Sequence, residues 1–185
     1  MTTDILEGDL VTLRPVDPEL DFEYLNAWSK DSQYARLLDA DPVIPWPKKM
    51  TKEWMEKHLD DFLEFVFYRK GEPEKPIGFV GLSEINWVSR DAWVGIGIGD
   101  RDNWGKGYGT DAMRVMLRYA FCQLNLHRLS LSVFDYNPRA VRSYEKAGFV
   151  REGVEPEFLA RDGQRYDIIL MGILRSEWKG ICPED

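Results

Sequence analysis

Apolar and polar positions alternate along Leu10-Val11-Thr12-Leu13-Arg14, which predicts a first strand stopped by Pro15 and Pro18. Phe22, Leu25 and Trp28 then fall at helical spacing within Asp21 to Ser29, and a second short helix is expected through Tyr34 to Leu38. Asp39 to Pro47 is too proline-rich for either regular element. Thr51 reads as the cap of a helix that runs to about Phe62 and shows Trp54, Met55, His58, Leu59 and Phe62 on one side. Three strand-like runs follow, Phe65 to Arg69, Ile77 to Trp87 and Ala92 to Gly99, joined by turn residues at Lys70 to Pro76 and at Arg90-Asp91. They predict an antiparallel meander.

The second half is as regular. Asp111 to Leu126 places Ala112, Met113, Val115, Met116, Leu117, Tyr119, Ala120, Leu124 and Leu126 at mostly helical spacing. His127 to Val133 alternates as a strand. Asn137-Pro138 then opens a helix, Arg139 to Ala147, with Asn137 as cap and Gly148 as its end. Phe149 to Gly153 and Tyr166 to Leu174 read as the arms of a hairpin turned at Asp162-Gly163. No repeat, low-complexity tract or linker interrupts the pattern, so one domain over residues 1–185 is expected.

Between the last meander strand and the long helix stands Trp104-Gly105-Lys106-Gly107-Tyr108-Gly109-Thr110. Alternating glycines let the backbone bend closely and leave amide N–H groups uncovered by side chains. They precede a helix, where unpaired N–H groups and the macrodipole favour an anion. With Lys106 inside the turn and Thr110 at the helix start, the stretch reads as a phosphate-binding turn rather than a merely Gly-rich connection. The pattern GxxxxGK[ST] of nucleoside triphosphatases is absent. Gly107 to Ala112 meets a relaxed GxGxx[GA] dinucleotide fingerprint. However, Asp100 to Asn103 separates the strand from the glycines and no second βαβ unit follows, so dinucleotide binding is a minor alternative.

Composition narrows the field. At 185 residues, 44% apolar and 30% charged, the chain suits a globular domain with a sizeable core. A formal charge of −8 argues against general nucleic-acid binding and is compatible with a cationic substrate. No apolar run approaches a membrane span and Met1-Thr2-Thr3-Asp4 lacks signal-peptide character, so no membrane partner is expected. Cys122 and Cys182 form neither a metal-ligand pattern nor a disulfide framework. That fits a reducing cytoplasm and a protein without a metal.

Two patterns stand in register: a strand ending in a glycine turn and helix, then strand-Asn137-helix-Tyr144-Glu145-Lys146-Ala147-Gly148-Phe149. Together they resemble the GNAT superfamily of acetyl-coenzyme A N-acetyltransferases, over most of the chain. The branch that looks most similar holds ribosomal-protein N-terminal and spermidine acetyltransferases. The marks are Leu13-Arg14-Pro15, Trp104 to Thr110, Asn125-Leu126-His127-Arg128-Leu129, and Glu152-Gly153 followed by Asp162-Gly163. The resemblance implies an α+β fold: a central, mixed, mostly antiparallel sheet of about seven strands, helices on both faces, and a splayed pair of central strands. The superfamily's pyrophosphate loop is usually written [QR]xxGx[GA]; here its first position is Trp104, which lacks that side-chain donor but leaves the backbone amides.

On this resemblance the loop headed by Trp104 binds acetyl-CoA, the amides of Gly105, Lys106, Gly107, Tyr108, Gly109 and Thr110 holding its pyrophosphate and Lys106 adding charge. The pantetheine arm lies along Ile96, Gly97 and Ile98, beside a parallel neighbour at Leu129 to Val133. Asn137 and Ala140 touch that arm, Asn137 doubling as a cap. Tyr144 is the family's tyrosine that gives the coenzyme sulfur a proton; as a plain helix residue it would pack in the core against Phe149. An amine of pKa near 10 arrives charged, so a carboxylate or water relay must take its proton. Glu84 is the candidate, as base or ammonium anchor, against the reading of an exposed strand carboxylate. Asp39 and Asp41 are weaker candidates for cation contact. Their loop either lines a substrate cleft or is a connection pinned by Trp46. His58 has no nucleophile or acid at hand in sequence and reads as a partly buried surface group. The expected activity is acetyl transfer by direct attack of a primary amine, on a protein N-terminus, a polyamine or another small amine. A homodimer is one assembly the resemblance allows. The alternatives are a non-catalytic acyl-CoA-binding module on the same fold and an NAD-type oxidoreductase.

Overall fold

In the computed structural model, which describes residues 4–58 and 62–182, seven strands form one sheet in the order β1-β2-β3-β4-β5-β7-β6. They are β1 (Val11–Pro15), β2 (Leu63–Arg69), β3 (Pro76–Asn86), β4 (Asp91–Ile98), β5 (Arg128–Phe134), β6 (Val150–Arg161) and β7 (Gln164–Leu174). Helices α1 (Pro18–Ser29), α2 (Ser32–Leu38) and α3 (Lys48–His58) separate β1 from β2. Helix α4 (Tyr108–Cys122) links β4 to β5, and α5 (Pro138–Ala147) links β5 to β6. Neighbouring strands are antiparallel except β4 and β5, which run parallel. The α+β mixed sheet expected of the sequence is what forms.

Side-chain alternation along the strands assigns the two faces. Leu13, Phe67, Leu82 and Val94 meet Met113, Met116 and Leu117 of α4 in the main core. The opposite face carries α1 and α2: a Cβ at Gly99 would strike the Trp28 ring, and one at Gly97 would come within 2.8 Å of the Tyr34 hydroxyl. Asp111, in the first turn of α4, is buried, and its carboxylate accepts from the amides of Leu10 (2.8 Å) and Val11 (3.0 Å). That ties β1 to the start of the central helix.

Element ends depart from the sequence reading in ways that capping explains. Pro18 does not merely stop β1; it is the first residue of α1, whose cap Asp17 accepts from the amides of Glu19 and Leu20. Thr51 is not a cap. Helix α3 starts at Lys48, just after Pro47, and buried Thr51 accepts a 2.7 Å hydrogen bond from the Asn26 amide. The helix is described as far as His58; the His58 side chain and Leu59 lie outside the described residues, while Phe62 lies in irregular chain before β2. Helix α4 begins at Tyr108 and stops at Cys122, because Asn125 turns left-handed at φ 52° and the chain reverses into β5. The hairpin arm β6 continues to Arg161, well past Gly153, and turns at Asp162-Gly163 as expected.

Cys122 and Cys182 were expected to stand apart; they are joined in a disulfide with a Cα separation of 5.6 Å. The tail folds back over the end of α4, with Trp178 against Phe121 and Arg175 donating to the Phe121 carbonyl. Two cysteines 60 residues apart show no spacing signal, since only this tertiary return brings them together. The expectation of separate cysteines, and the argument from it to a reducing compartment, therefore falls. The Asp39–Pro47 loop is pinned. Arg161 donates to the carbonyls of Asp39, Ala40 and Asp41 at 3.2–3.3 Å, and Trp46 packs on Trp54 at 6.2 Å between ring centroids. Among the described residues no helix is long and apolar enough to cross a membrane.

Candidate active site

The parallel pair is where the sheet opens. Strands β4 and β5 pair only at Asp91–Arg128, Ala92–Leu129 and Trp93–Ser130. From Val94 onward β4 stays on β3, in register to Ile98–Gly78, and leaves β5. Main-chain groups of Gly95 to Ile98 on the β5 side consequently face a fork instead of a partner strand. The fork widens into a cavity of about 310 Å³.

Three of the elements that wall that cavity carry residues named from the sequence. Ile96, Gly97 and Ile98 line it from β4. Trp104, Gly105, Gly107, Tyr108, Gly109 and Thr110 line it from the turn and first residues of α4. Asn137, Ala140 and Tyr144 line it from α5 and its cap. The structure thus brings together every coenzyme-site residue named from sequence except Lys106, which is exposed and outside the wall. Gly105 (φ 75°) and Gly107 (φ 91°) hold left-handed backbone that only glycine adopts without cost, and Gly107 caps α4 with no side chain over the amides. The first intrahelical bond is Asp111 N–H to the Gly107 carbonyl, 3.0 Å, so the amides of Tyr108, Gly109 and Thr110 precede the ladder and are free for an anion. Thr110 and Ser143 hydroxyls meet at 2.8 Å and lock α4 to α5.

Trp104 replaces the expected polar residue in two ways. Its indole N–H donates to the Ile98 carbonyl at 2.8 Å, fastening the turn to the end of β4. Its ring face carries the Arg139 guanidinium, 3.9 Å from the centroid. A cation therefore stands at the first position of the loop, supplied from α5. Arg142 and Lys146 add two more cations to the wall. These three were missed from sequence, though Arg139, Arg142 and Lys146 recur at i, i+3 and i+7 and so share one helix face. Desolvation lowers the Arg139 pKa, yet a guanidinium stays charged. Open amides, three cations and apolar Ile96 and Ile98 fit the pyrophosphate and pantetheine of acetyl-CoA.

Tyr144 lies in the wall with its ring edge-on to Phe149, centroids 6.3 Å apart, so packing and exposure to the cavity coexist. Burial pushes its phenol up to about 12, which keeps it protonated at neutral pH. Asn137 is buried and caps α5 through its side-chain oxygen on the Ala140 amide, 3.2 Å. Tyr34, Leu37 and Leu38 close the cavity from α2, and no sequence signal marked them. Glu84 is elsewhere. It is exposed at a bulge between Ser83 and Asn86, with φ 51°, and is not in the wall. Asp39 and Asp41 are likewise exposed and outside it. Among the described residues no group of three or more His, Cys, Asp or Glu could hold a metal.

The fork, glycine turn and phenol suit an acyl-coenzyme A transferase, and comparison with known proteins gives the family. The model described as "Acetyltransferase (GNAT) domain" matches residues 11–150, and the chain belongs to that family. It is an acetyl-CoA-dependent N-acetyltransferase. It is 37% identical over 127 residues to a spermidine N(1)-acetyltransferase of Vibrio cholerae, covering 69% of this chain and 73% of that protein. The corresponding enzyme of Escherichia coli K12 is 32% identical over 168 residues, 91% of this chain and 88% of the other. A putative ribosomal N-acetyltransferase of Bacillus subtilis is 31% identical over 56% of each chain. The crystal structure of the Vibrio cholerae spermidine N-acetyltransferase in complex with CoA and spermine superposes with a TM-score of 0.81 at 29% identity, covering 92% of this chain and 98% of that one.

Proposed function

We propose that this enzyme acetylates a primary amine of a small polycation, by direct attack on acetyl-CoA held in the β4–β5 fork. The observation that carries the reading is the cavity in which the left-handed glycine turn, the parted strands and the Tyr144 phenol converge. The amides of Tyr108 to Thr110, with Arg139, Arg142 and Lys146, would hold the pyrophosphate. Ile96 and Ile98 would bed the pantetheine, and main-chain N–H groups on the open side of β4 would polarise the thioester carbonyl. Acetyl-CoA brings an activated acyl group; the chain supplies position and protons. Tyr144 would give its proton to the departing sulfur. Cytoplasmic work is inferred, where acetyl-CoA is to hand.

A polycationic acceptor is supported by the net charge of −8 and by similarity to two spermidine acetyltransferases. The Bacillus relative, a putative ribosomal N-acetyltransferase, is the reason to include peptide amines as a second acceptor class. Thiol release from acetyl-CoA with a panel of spermidine, spermine, simple monoamines and N-terminal peptides tests the reading. Turnover on the polyamines exceeding that on peptides is expected. Preference for peptides would replace the acceptor, and no turnover on any amine would refute the proposal.

A further inference from the structure

Glu64 of β2 stands directly opposite Gly81 of β3, which in turn faces Gly95 of β4. The row lies on the sheet face opposite the one where Phe65, Val80 and Ile96 join the α4 core. Neither glycine puts a side chain on that face, and only Gly95 is open to solvent. Gly95 is exposed and the place a Cβ would take is empty, while a Cβ at Gly81 would come within 3.1 Å of Glu64 Cγ. The Glu64 stem therefore leans over Gly81, and a floor without side chains runs on to Gly95, two residues past the last β4–β5 pair. Strands are spaced about 4.8 Å apart, so Glu64 is about 10 Å of backbone from the mouth of the fork. A carboxylate, an amine nitrogen and at most one water span that gap.

Among the described residues the charges around Glu64 are few. From α2, Tyr34 interacts with it, and Tyr34 also lines the coenzyme cavity. From β1 and α1, the Arg14–Asp21 pair stands one row away, opposite Val66, and is closed on itself and on Tyr68. From β3 and β4 only glycine faces it. Burial raises the Glu64 carboxyl from its ordinary 4.5 to about 7.

We propose that Glu64 is the base on the acceptor side, taking a proton from an ammonium group laid on the Gly81–Gly95 floor. This rests on the acetyltransferase reading above. The ammonium gives one proton to the Glu64 carboxylate, and the freed nitrogen lone pair bonds the thioester carbonyl carbon. The C–S bond breaks, the sulfur takes the Tyr144 proton, and the second proton on nitrogen restores the phenol. Glu64 then returns its proton to solvent. The open space over Gly95 leaves room for the methylene chain of the amine.

The test is kcat/KM for spermidine with the full chain between pH 6 and 9, for wild type, Glu64→Gln and Gly81→Ala, with stabilisation by CoA measured alongside. Wild type should show an acid limb near pH 7 and a plateau above it. Glu64→Gln should lose about 10²–10⁴-fold at pH 7 while CoA still raises its Tm as in wild type. Its rate should then climb about tenfold per pH unit as the amine deprotonates unaided. Gly81→Ala keeps every charge but crowds the Glu64 stem and should lose at least about tenfold, which covers the case where Glu64→Gln does not fold. An active wild type with Glu64→Gln or Gly81→Ala unchanged, or with no limb near pH 7, overturns the proposal alone. A wild type inactive on every amine overturns the acetyltransferase reading with it.

Discussion

Tyr144→Phe removes one oxygen from the wall of the cavity. The ring keeps its edge contact with Phe149, and among the described residues the hydroxyl makes no hydrogen bond to the protein. Stability should therefore change by less than about 1 kcal/mol, a Tm shift below about 4 °C for a chain of this size. Turnover should fall much further. A positioned proton donor is worth about 10²–10⁴-fold, or about 2.7–5.4 kcal/mol of barrier, and water in a closed fork replaces it poorly. The phenol is pushed up to about 12 from its ordinary 10, so it stays protonated, and active as an acid, throughout pH 6–10. The deficit of the variant should be constant across that range, because no ionisation of Tyr144 falls inside it. Thiol release under saturating acetyl-CoA measures turnover, and thermal shift with CoA checks binding. A variant within threefold of wild type, or one whose loss vanishes above pH 8, would refute the role of the phenol.

Glycine positions on β4 separate packing from function. Gly97→Ala places a Cβ 2.6 Å from the Phe79 ring and 2.8 Å from the Tyr34 hydroxyl, so a cost of about 1–3 kcal/mol and a Tm drop of about 2–12 °C are expected. Gly95→Ala meets empty space and should leave Tm within about 2 °C; equal losses in thermal denaturation would disprove this contrast. Arg139→Ala, losing a charge-assisted contact, should raise the KM for acetyl-CoA about 10–100-fold, whereas Lys106→Ala outside the wall should change it less than about threefold. Steady-state titration of acetyl-CoA reads both, and the reverse ranking would contradict the assignment. Cys182→Ser opens a loop of 60 residues, whose closure is worth at most about 4 kcal/mol of chain entropy; Tm should fall and dithiothreitol should lower wild type, but not the variant. Identical melting of wild type with and without reductant would show the bond plays no part.

Local chemistry explains what was legible. Alternation along Leu10 to Arg14 and helical spacing from Ala112 to Ala120 are fixed by which side chains must leave water, so β1 and α4 could be placed from the chain alone. The glycine turn could be placed too, because left-handed φ at Gly105 and Gly107 is a property of single residues. The helix carrying Tyr144 and the cap at Asn137 could be placed as well, while the parts expected of the two residues at the coenzyme came from the resemblance alone. Thr51 was misread because a hydroxyl before an apolar run is a capping signal, and only the buried Asn26 amide, 25 residues away, draws it into the helix.

What tertiary structure alone decided is everything that depends on two distant segments sharing space. The parting of β4 from β5 is a difference in register, invisible in either strand's own pattern. Arg139 could be known to be cationic from the chain, but that it lies on Trp104 depends on how α5 packs beside the turn. Glu64 was an unremarked acid at the edge of a strand until Gly81 and Gly95 lined up beside it and burial weakened its acidity. The Cys122–Cys182 bond follows the same rule, since the tail must return to α4 before two thiols can meet. Periodicity and backbone preference act over a few residues and are written in the sequence; apposition across the sheet, and the electrostatics that come with it, exist only once the chain has closed on itself.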